Sequence, residues 1–263
     1  IISSVDLPGD AMTTIDVHPV AYADVQAFRE LYHQEANAQI VRDSALVRGF
    51  AQAYHLWLDR RLAGYGAVGT QYNTYHVLEF YVVPHLRRHA LPIFRELLAV
   101  SQATHIQAQT NMPLMLLMLY DCAHHITSEA ILFADAATTQ LECPEGVFRR
   151  ATAADQPSIF THTHEPVGEW VIETDSGIVA TGGFLTHYNP PYADIFMEVS
   201  PAARRQGVGS YLVQELKRIC YEAGKKPAAR CNPDNLASRR TLEKAGFLPC
   251  GRLLVGEVSS APP

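Results

Sequence analysis

The stretch Val199-Ser-Pro-Ala-Ala-Arg-Arg-Gln-Gly-Val-Gly-Ser-Tyr-Leu-Val213 decides how this chain is read. It has the form of a strand end, a basic turn with two glycines, and the first turns of an amphipathic helix. Gly207 and Gly209 carry no Cβ, so a ligand can approach the backbone closely there. The helix begins with N–H groups that have no intrahelical partner and with the positive end of its dipole. Those features suit a phosphate, and Arg204 and Arg205 add formal charge beside it. A plain turn and helix cap is the competing reading, because turns use glycine everywhere.

Composition narrows the choice. The 263 residues are 48% hydrophobic and 18% charged, enough for one large domain or two ordinary ones. A formal net charge of −6 argues against general nucleic-acid binding, so any anion site has to be local. Five scattered cysteines without a Cys-x-x-Cys or Cys/His pattern read as reduced thiols in a cytoplasmic protein. The longest apolar run, Pro113 to Tyr120, is too short to cross a bilayer and reads as a buried helix. Residues 1–11 precede Met12, lack a signal-peptide pattern, and are set aside as an N-terminal extension.

Working outward, the same order of elements occurs twice. The first half reads as a strand from Val17, helices entered at Asp24 and at Asp43 or Ser44, and a hairpin around Asp59-Arg-Arg61. A strand from Tyr75 to Val83, a turn from Arg87 to Pro92, a helix from Ile93, a strand Ile106–Gln109, a helix from Leu114 and a strand Ala130–Ala134 follow. The second half gives a strand Val147–Arg150, a hairpin around Asp175-Ser-Gly177, a strand Ile195–Val199 and the opening motif with its helix. It closes with a strand Ala228–Cys231, a helix Leu236–Ala245 and a strand Leu253–Val255. Aligning Pro84 with Pro201 brings Val82 onto Val199 and Arg87-Arg88 onto Arg204-Arg205. Matched order over two halves predicts two homologous domains, 12–137 and 147–263, joined by a linker over 138–146.

These residues resemble the GNAT superfamily of acyl-CoA-dependent N-acyltransferases. Its pyrophosphate loop, [Arg/Gln]-x-x-Gly-x-[Gly/Ala] after a strand ending Val-x-Pro, is matched by Val199-Ser-Pro201 and Arg204-Arg-Gln-Gly-Val-Gly209. A second block, Asn-x-x-[Ala/Ser] followed by Glu-Lys-x-Gly-Phe, is matched by Asn235-Leu-Ala-Ser238 and Glu243-Lys-Ala-Gly-Phe247. The resemblance covers 147–258 well and 15–135 more faintly. It implies an α/β (α+β) fold: two tandem domains, each a mixed, mostly antiparallel sheet flanked by helices, with splayed central strands. It implies acetyl-CoA as cosubstrate and no metal. Gln206, Gly207, Val208, Gly209 and Ser210 would wrap the pyrophosphate with backbone N–H groups, and Arg204 or Arg205 would pair with a phosphate oxygen. Met197 and Val199 would face pantetheine across the splay, with Asn235 and Ser238 bonding the cofactor from the other side. A capping role for Asn232, Asp234 or Asn235 stands beside that one.

The first half departs at the decisive place. Its turn is Arg87-Arg-His-Ala-Leu-Pro92, with Ala90 and Pro92 where the glycines belong and Pro113 in the position of Asn235. Proline has no N–H to offer a phosphate. This half is therefore expected not to bind CoA, and to shape or support the acceptor site instead.

Glu198, one residue before the strand end, is the leading base candidate, with Glu173 and Asp194 behind it; strand alternation is the objection, since it can aim Glu198 away from the cleft. The tyrosine that the family places four residues before the Gly-Phe glycine is Leu242 here. Tyr120, at the equivalent place in the first half, reads as a core or interface residue. Ser238, Tyr188, Tyr192 or water remain as proton donors to the thiolate. His162 and His164, and the pairs His85/His89 and His124/His125, read as surface histidines, because no third metal ligand is evident.

The expected activity is N-acetyl transfer to the amine of a small acceptor in a ternary complex, by a monomeric pseudo-dimer or a homodimer, with no nucleic-acid or membrane partner. A non-catalytic CoA- or metabolite-sensing module and a protein N-acetyltransferase are the rival readings.

Overall fold

The computed structural model describes residues 13–35, 43–70, 75–188 and 190–259; the expected extension over 1–11 lies outside them. The first half contains β1 (Ile15–Val20), α1 (Gln26–Glu35), α2 (Asp43–Val47), β2 (Ala51–Leu58), β3 (Arg61–Gly69) and β4 (His76–Val82). α3 (Ala90–Ser101), β5 (His105–Gln109), α4 (Pro113–Cys122) and β6 (Ala123–Asp135) complete it. Residues 136–146 carry no helix or strand. The second half contains β7 (Val147–Arg150), β8 (Trp170–Thr174), β9 (Gly177–Leu185), β10 (Tyr192–Val199), α5 (Val208–Glu222), β11 (Lys226–Cys231), α6 (Leu236–Lys244) and β12 (Phe247–Val258).

All twelve strands form one sheet in the order β1-β2-β3-β4-β5-β12-β6-β11-β10-β9-β8-β7. Neighbours are antiparallel except β4–β5 and β10–β11. The closing strands are exchanged: β6, from the first half, pairs with β11, while β12, from the second, pairs with β5. β6 and β12 then pair with each other from Phe247↔Asp135 to Val258↔Ala123. Packing follows the exchange. Ile131 and Phe133 of β6 enter the core of the second half, and Leu254 of β12 enters that of the first. Each such side chain contributes roughly 2 kcal/mol through burial, so the two halves share their cores.

Helices form where apolar residues recur every turn. α5 buries Val208, Leu212, Leu216 and Cys220, spaced four apart, against the strands of the second half. α3 does the same in the first half with Ala90, Ile93, Phe94 and Leu97. The expected turn over Arg87–Pro92 is helical instead: a 3₁₀ turn from Pro84 to His89 runs directly into α3 at Ala90. Pro92 fits because the N–H groups of a first helical turn have no intrahelical partner to lose. β6 and β12 are longer than expected; the polar start of β6, His124-His125-Ile126-Thr127-Ser128-Glu129, shows none of the apolar alternation that marks a strand. The second half lacks helices equivalent to α1 and α2, with only a 3₁₀ turn from Ala153 to Ser158 in their place.

The five cysteines are free thiols. No helix among the described residues is long and apolar enough to cross a membrane.

Candidate functional site

β10 and β11 pair only at Tyr192↔Lys226, Ala193↔Pro227 and Asp194↔Ala228, then separate. Their outer edges stay hydrogen-bonded, β10 to β9 as far as Val199 and β11 to β6 as far as Cys231. Backbone groups on the two inner edges therefore face a gap. A cleft of about 700 Å³ opens there, between the strand ends, the start of α5 and α6.

The loop after β10 shapes the mouth of this cleft. A 3₁₀ turn over Pro201–Ala203 ends in extended backbone at Arg204; Arg205 then takes φ 65° and Gly207 φ 86°. The left-handed step at Gly207 swings the chain into α5, whose first intrahelical bond runs from Tyr211 N–H to Gly207 C=O at 3.0 Å. The N–H groups of Val208, Gly209 and Ser210 are thus left at the helix start. The two glycines are required for different reasons. A Cβ at Gly207 would meet nothing closer than Lys244 Nζ at 3.8 Å, so φ alone demands glycine. A Cβ at Gly209 would stand 3.3 Å from both Val199 Cγ2 and Thr241 Cγ2, so close packing of α5 on β10 and α6 demands it.

Among the residues named from the sequence, Met197, Val199, Arg204, Arg205, Gly207, Gly209 and Ser210 line the cleft on the β10 side, and Asn235 and Ser238 on the α6 side. The side chains of two others point elsewhere. Val208 is buried in the core, and Gln206 donates Nε2–H to Ala202 C=O at 3.2 Å. Arg204 donates Nε–H to Val199 C=O at 3.1 Å, which fixes the guanidinium at the strand end. Asn235 caps α6, its Oδ1 accepting from Ser238 N–H at 3.0 Å. Ser238 hydrogen-bonds the Cys231 thiol, whose pKa burial pushes up. Lys244, Arg240 and Thr241 also line the cleft. Helical spacing from Asn235 held that signal, since 237, 240/241 and 244 fall on one face.

Glu198 is a correction. Alternation does aim it away from α5, and its carboxylate is taken up by the segment that follows the 3₁₀ turn. It accepts from Thr163 N–H at 3.0 Å, Thr163 Oγ1–H at 2.9 Å, and His164 and Glu165 N–H at 3.1 Å each. Burial works to raise its pKa, but these hydrogen bonds outweigh it and hold the group at about 2. His162 is likewise no surface histidine: its side chain is 8% exposed. It stacks on Phe160 at 4.8 Å and places Nε2 3.1 Å from Thr181 Oγ1. Glu165 C=O, 3.0 Å from Nδ1, can only accept, so Nδ1 carries the proton; in the neutral ring Nε2 then accepts from Thr181 Oγ1–H, whose oxygen takes Gly168 N–H at 3.2 Å. Where the first half has two helices, the second has a loop pinned to β9 and β10 by these bonds.

That loop carries a residue the sequence reading missed. Glu165, with His164, lines the cleft beside Met197 and Val199. Glu165 is exposed at the cleft wall, and the partial desolvation its neighbours impose raises its pKa; Arg230 opposes that rise and Glu198 adds to it. No local spacing marks Glu165, because a chain reversal brings it to the cleft. The remaining candidates are spent elsewhere. Glu173 accepts from Arg149 Nε–H at 2.6 Å on the outer strands, and Asp194 pairs with Arg230 at 3.2 Å. The Tyr188 hydroxyl accepts from Arg230 Nη2–H at 2.5 Å, and Tyr192 sits where β10 and β11 are still paired. Leu242 is buried at 3% exposure, while Tyr120 is 62% exposed and so is no core residue.

The first half repeats the frame around a narrower cleft. β4 and β5 also separate after two pairs, and Arg87 donates Nε–H to Val82 C=O at 2.9 Å, as Arg204 does to Val199. Its cleft is smaller, about 320 Å³. Tyr32 and Glu35 of α1 line it, and Arg87 forms an ion pair with Glu35. Ala90 N–H donates to Arg87 C=O, so the turn satisfies itself.

Two family profiles match this chain. "Acetyltransferase (GNAT) family" matches residues 134–247 and "Acetyltransferase (GNAT) domain" residues 22–136. Among solved structures, a GNAT-family acetyltransferase from Colwellia psychrerythraea superposes with TM-score 0.71 at 14% identity, covering 93% of this chain and 100% of that one. A GCN5-related N-acetyltransferase from Sphaerobacter thermophilus gives 0.62 at 14% identity, over 94% and 97% of the two chains. A tandem GNAT protein from the clavulanic acid biosynthesis pathway gives 0.60 at 11% identity, over 95% and 100%. No curated protein matches the chain.

Proposed function

The chain belongs to the GNAT family of acetyltransferases, and on that footing we propose that it transfers an acetyl group from acetyl-CoA to the amine of a small acceptor, both substrates being bound together. The observation that carries this reading is a coincidence confined to the second half. An unpaired strand gap meets a helix start freed by Gly207, with Arg204, Arg205 and Lys244 around it. Diphosphate would sit on the N–H groups of Gly207 to Ser210, and pantetheine would lie in the gap along Met197 and Val199. Residues 147–263 carry the chemistry. Residues 12–137 bind no CoA, because the matching turn spends Ala90 N–H on Arg87 C=O, Pro92 has no N–H, and Glu35 pairs with Arg87 beside a smaller cleft.

The amine attacks the thioester carbonyl; a C–N bond forms, the C–S bond breaks, and the amine gives up one proton. Glu165, directly or through one water, receives it, because its raised pKa makes it a better base than Glu198. Glu198 is a positioning residue that holds the loop bearing Glu165. Ser238 or solvent returns a proton to the thiolate. The first half completes the acceptor side: Arg48, just before β2, is close enough to His187 of the second-half hairpin to help lower its pKa, after burial, with Arg230 adding to it. A monomer with this internal pseudo-symmetry, in the reducing cytoplasm that its free thiols suit, is the form proposed.

Thiol release from acetyl-CoA, followed with a panel of amines, amino acids and polyamines, tests this. Glu165→Gln is expected to lower kcat about 100-fold with KM for acetyl-CoA unchanged. In the parent, the rate rises with pH through the elevated pKa of Glu165, and the variant loses that limb. Tight acetyl-CoA binding with no thiol release from any amine would favour a CoA-sensing module, the reading that Leu242 in place of the family's tyrosine supports.

A further inference from the structure

A second cluster lies at the strand exchange and shares no residue with the acyl cleft. His124 and His125 open β6, and Glu257, near the end of β12, stands opposite His124 in the ladder. Consecutive residues of a regular strand point to opposite faces. Here the register slips between Val255 and Glu257, and His125 takes φ 48°. The bulge turns both imidazoles the same way, with ring centroids 4.5 Å apart. His124 Nε2 lies 3.7 Å and His125 Nδ1 3.5 Å from one oxygen, Glu257 Oε2, and the three ligand atoms lie within 4.8 Å of one another.

Both distances are longer than hydrogen bonds, which run about 2.7–3.2 Å. They are close to the spacing of ligands around a shared ion: with metal–ligand bonds of about 2.0–2.1 Å, tetrahedral neighbours stand about 3.3 Å apart. Two imidazoles and a carboxylate form a donor set for zinc and similar borderline ions, whereas magnesium takes oxygen ligands. Side-chain exposures of 44%, 72% and 53% let a hydrated ion arrive without opening the fold and leave water in the fourth position. His105, which pairs with Glu257 on the other side, is outside the set, its Nδ1 lying 2.9 Å from Thr104 Oγ1.

We propose that His124, His125 and Glu257 bind one zinc-class divalent transition-metal ion. The ligands come from the two exchanged strands, so the ion staples one half to the other and stabilises the folded chain by mass action.

Titration of the full chain with ZnCl2 by calorimetry, MgCl2 being the hard-ion control, tests the proposal alongside thermal melts with and without EDTA. One equivalent of zinc is expected to saturate, to raise the melting temperature, and to lose that effect on chelation, with magnesium inert. Glu257→Gln is expected to weaken binding at least about ten-fold, and His124→Ala/His125→Ala to remove it, with metal-free melts unchanged. Absence of saturable binding overturns the site, as does full binding by the double variant, which would place zinc on other histidines. Cobalt(II) spectra give a reading independent of folding energetics: imidazole ligation changes the visible bands of the parent. The same bands in Glu257→Gln, at the same affinity, would remove Glu257 from the ligand set.

Discussion

The turns after Pro84 and Pro201 begin alike and end differently. In both, an arginine Nε–H, from Arg87 or Arg204, donates to the carbonyl of a matching valine at the strand end. In both, the neighbouring parallel strands part after two or three pairs. Beyond that point the first half continues helically, pairs Arg87 with Glu35, and lays α1 along the cleft. The second half steps through left-handed backbone at Arg205 and Gly207, and no carboxylate among the described residues forms an ion pair with Arg204. The difference teaches that the parted strands and the anchoring arginine belong to the scaffold. The proposed ligand site lies where the loop frees its N–H groups and no helix lines the gap as α1 does in the first half.

The hardest way to break the comparison is to separate the halves. Residues 138–263 expressed alone lack β5 and β6, so β11 loses one partner, β12 loses both, and the core loses Ile131 and Phe133. No cooperative melt is expected by circular dichroism, whereas co-expressed 1–137 and 138–263 should co-purify. A second half that melts cooperatively by itself would show the exchange to be dispensable. Next in size is Gly207→Pro, which forbids φ 86° and deletes an N–H. Acetyl-CoA affinity should fall at least about 100-fold, or ~3 kcal/mol, by calorimetry. Gly207→Ala, with open space around its Cβ, should lose only about 1 kcal/mol to strain. Undiminished binding in the proline variant would move the diphosphate elsewhere.

Below the proline effect comes that on the pinned loop. The folded pKa of Glu198 is depressed to about 2, so its contribution to stability is fully present above the ordinary carboxylate range and is lost as pH falls through that range towards 2. Glu198→Gln should cost about 2 kcal/mol at neutral pH and flatten the acid limb of stability between about pH 4 and pH 2, as followed by denaturant melts. An unchanged acid limb would mean that Glu198 does not hold the loop.

Much of this was legible in the residues. The repeat, both glycines, Asn235 and the apolar spacing of α5 are local patterns, and local geometry fixed where they went. Glu165 was not legible, because its approach to Met197 depends on how a loop folds back over β9 and β10. Glu198 was named for its position on a strand, but the hydrogen bonds that take up its carboxylate come from a loop more than thirty residues away. Tyr120 was read as a core or interface residue, and α4 turns it out of the core to solvent, since an apolar run shows no preferred face.

The sequence by itself determined the elements, their twofold order and the glycine loop before α5, since each rests on the conformational rules of a few adjacent residues. The tertiary structure alone decided that β6 and β12 change places, that α1 lines and narrows one cleft, and that a loop takes up Glu198 and presents Glu165. The physical reason is that a strand's alternation states which face is buried and never names the edge it pairs with. A carboxylate's basicity likewise depends on donors that the chain brings from a distance.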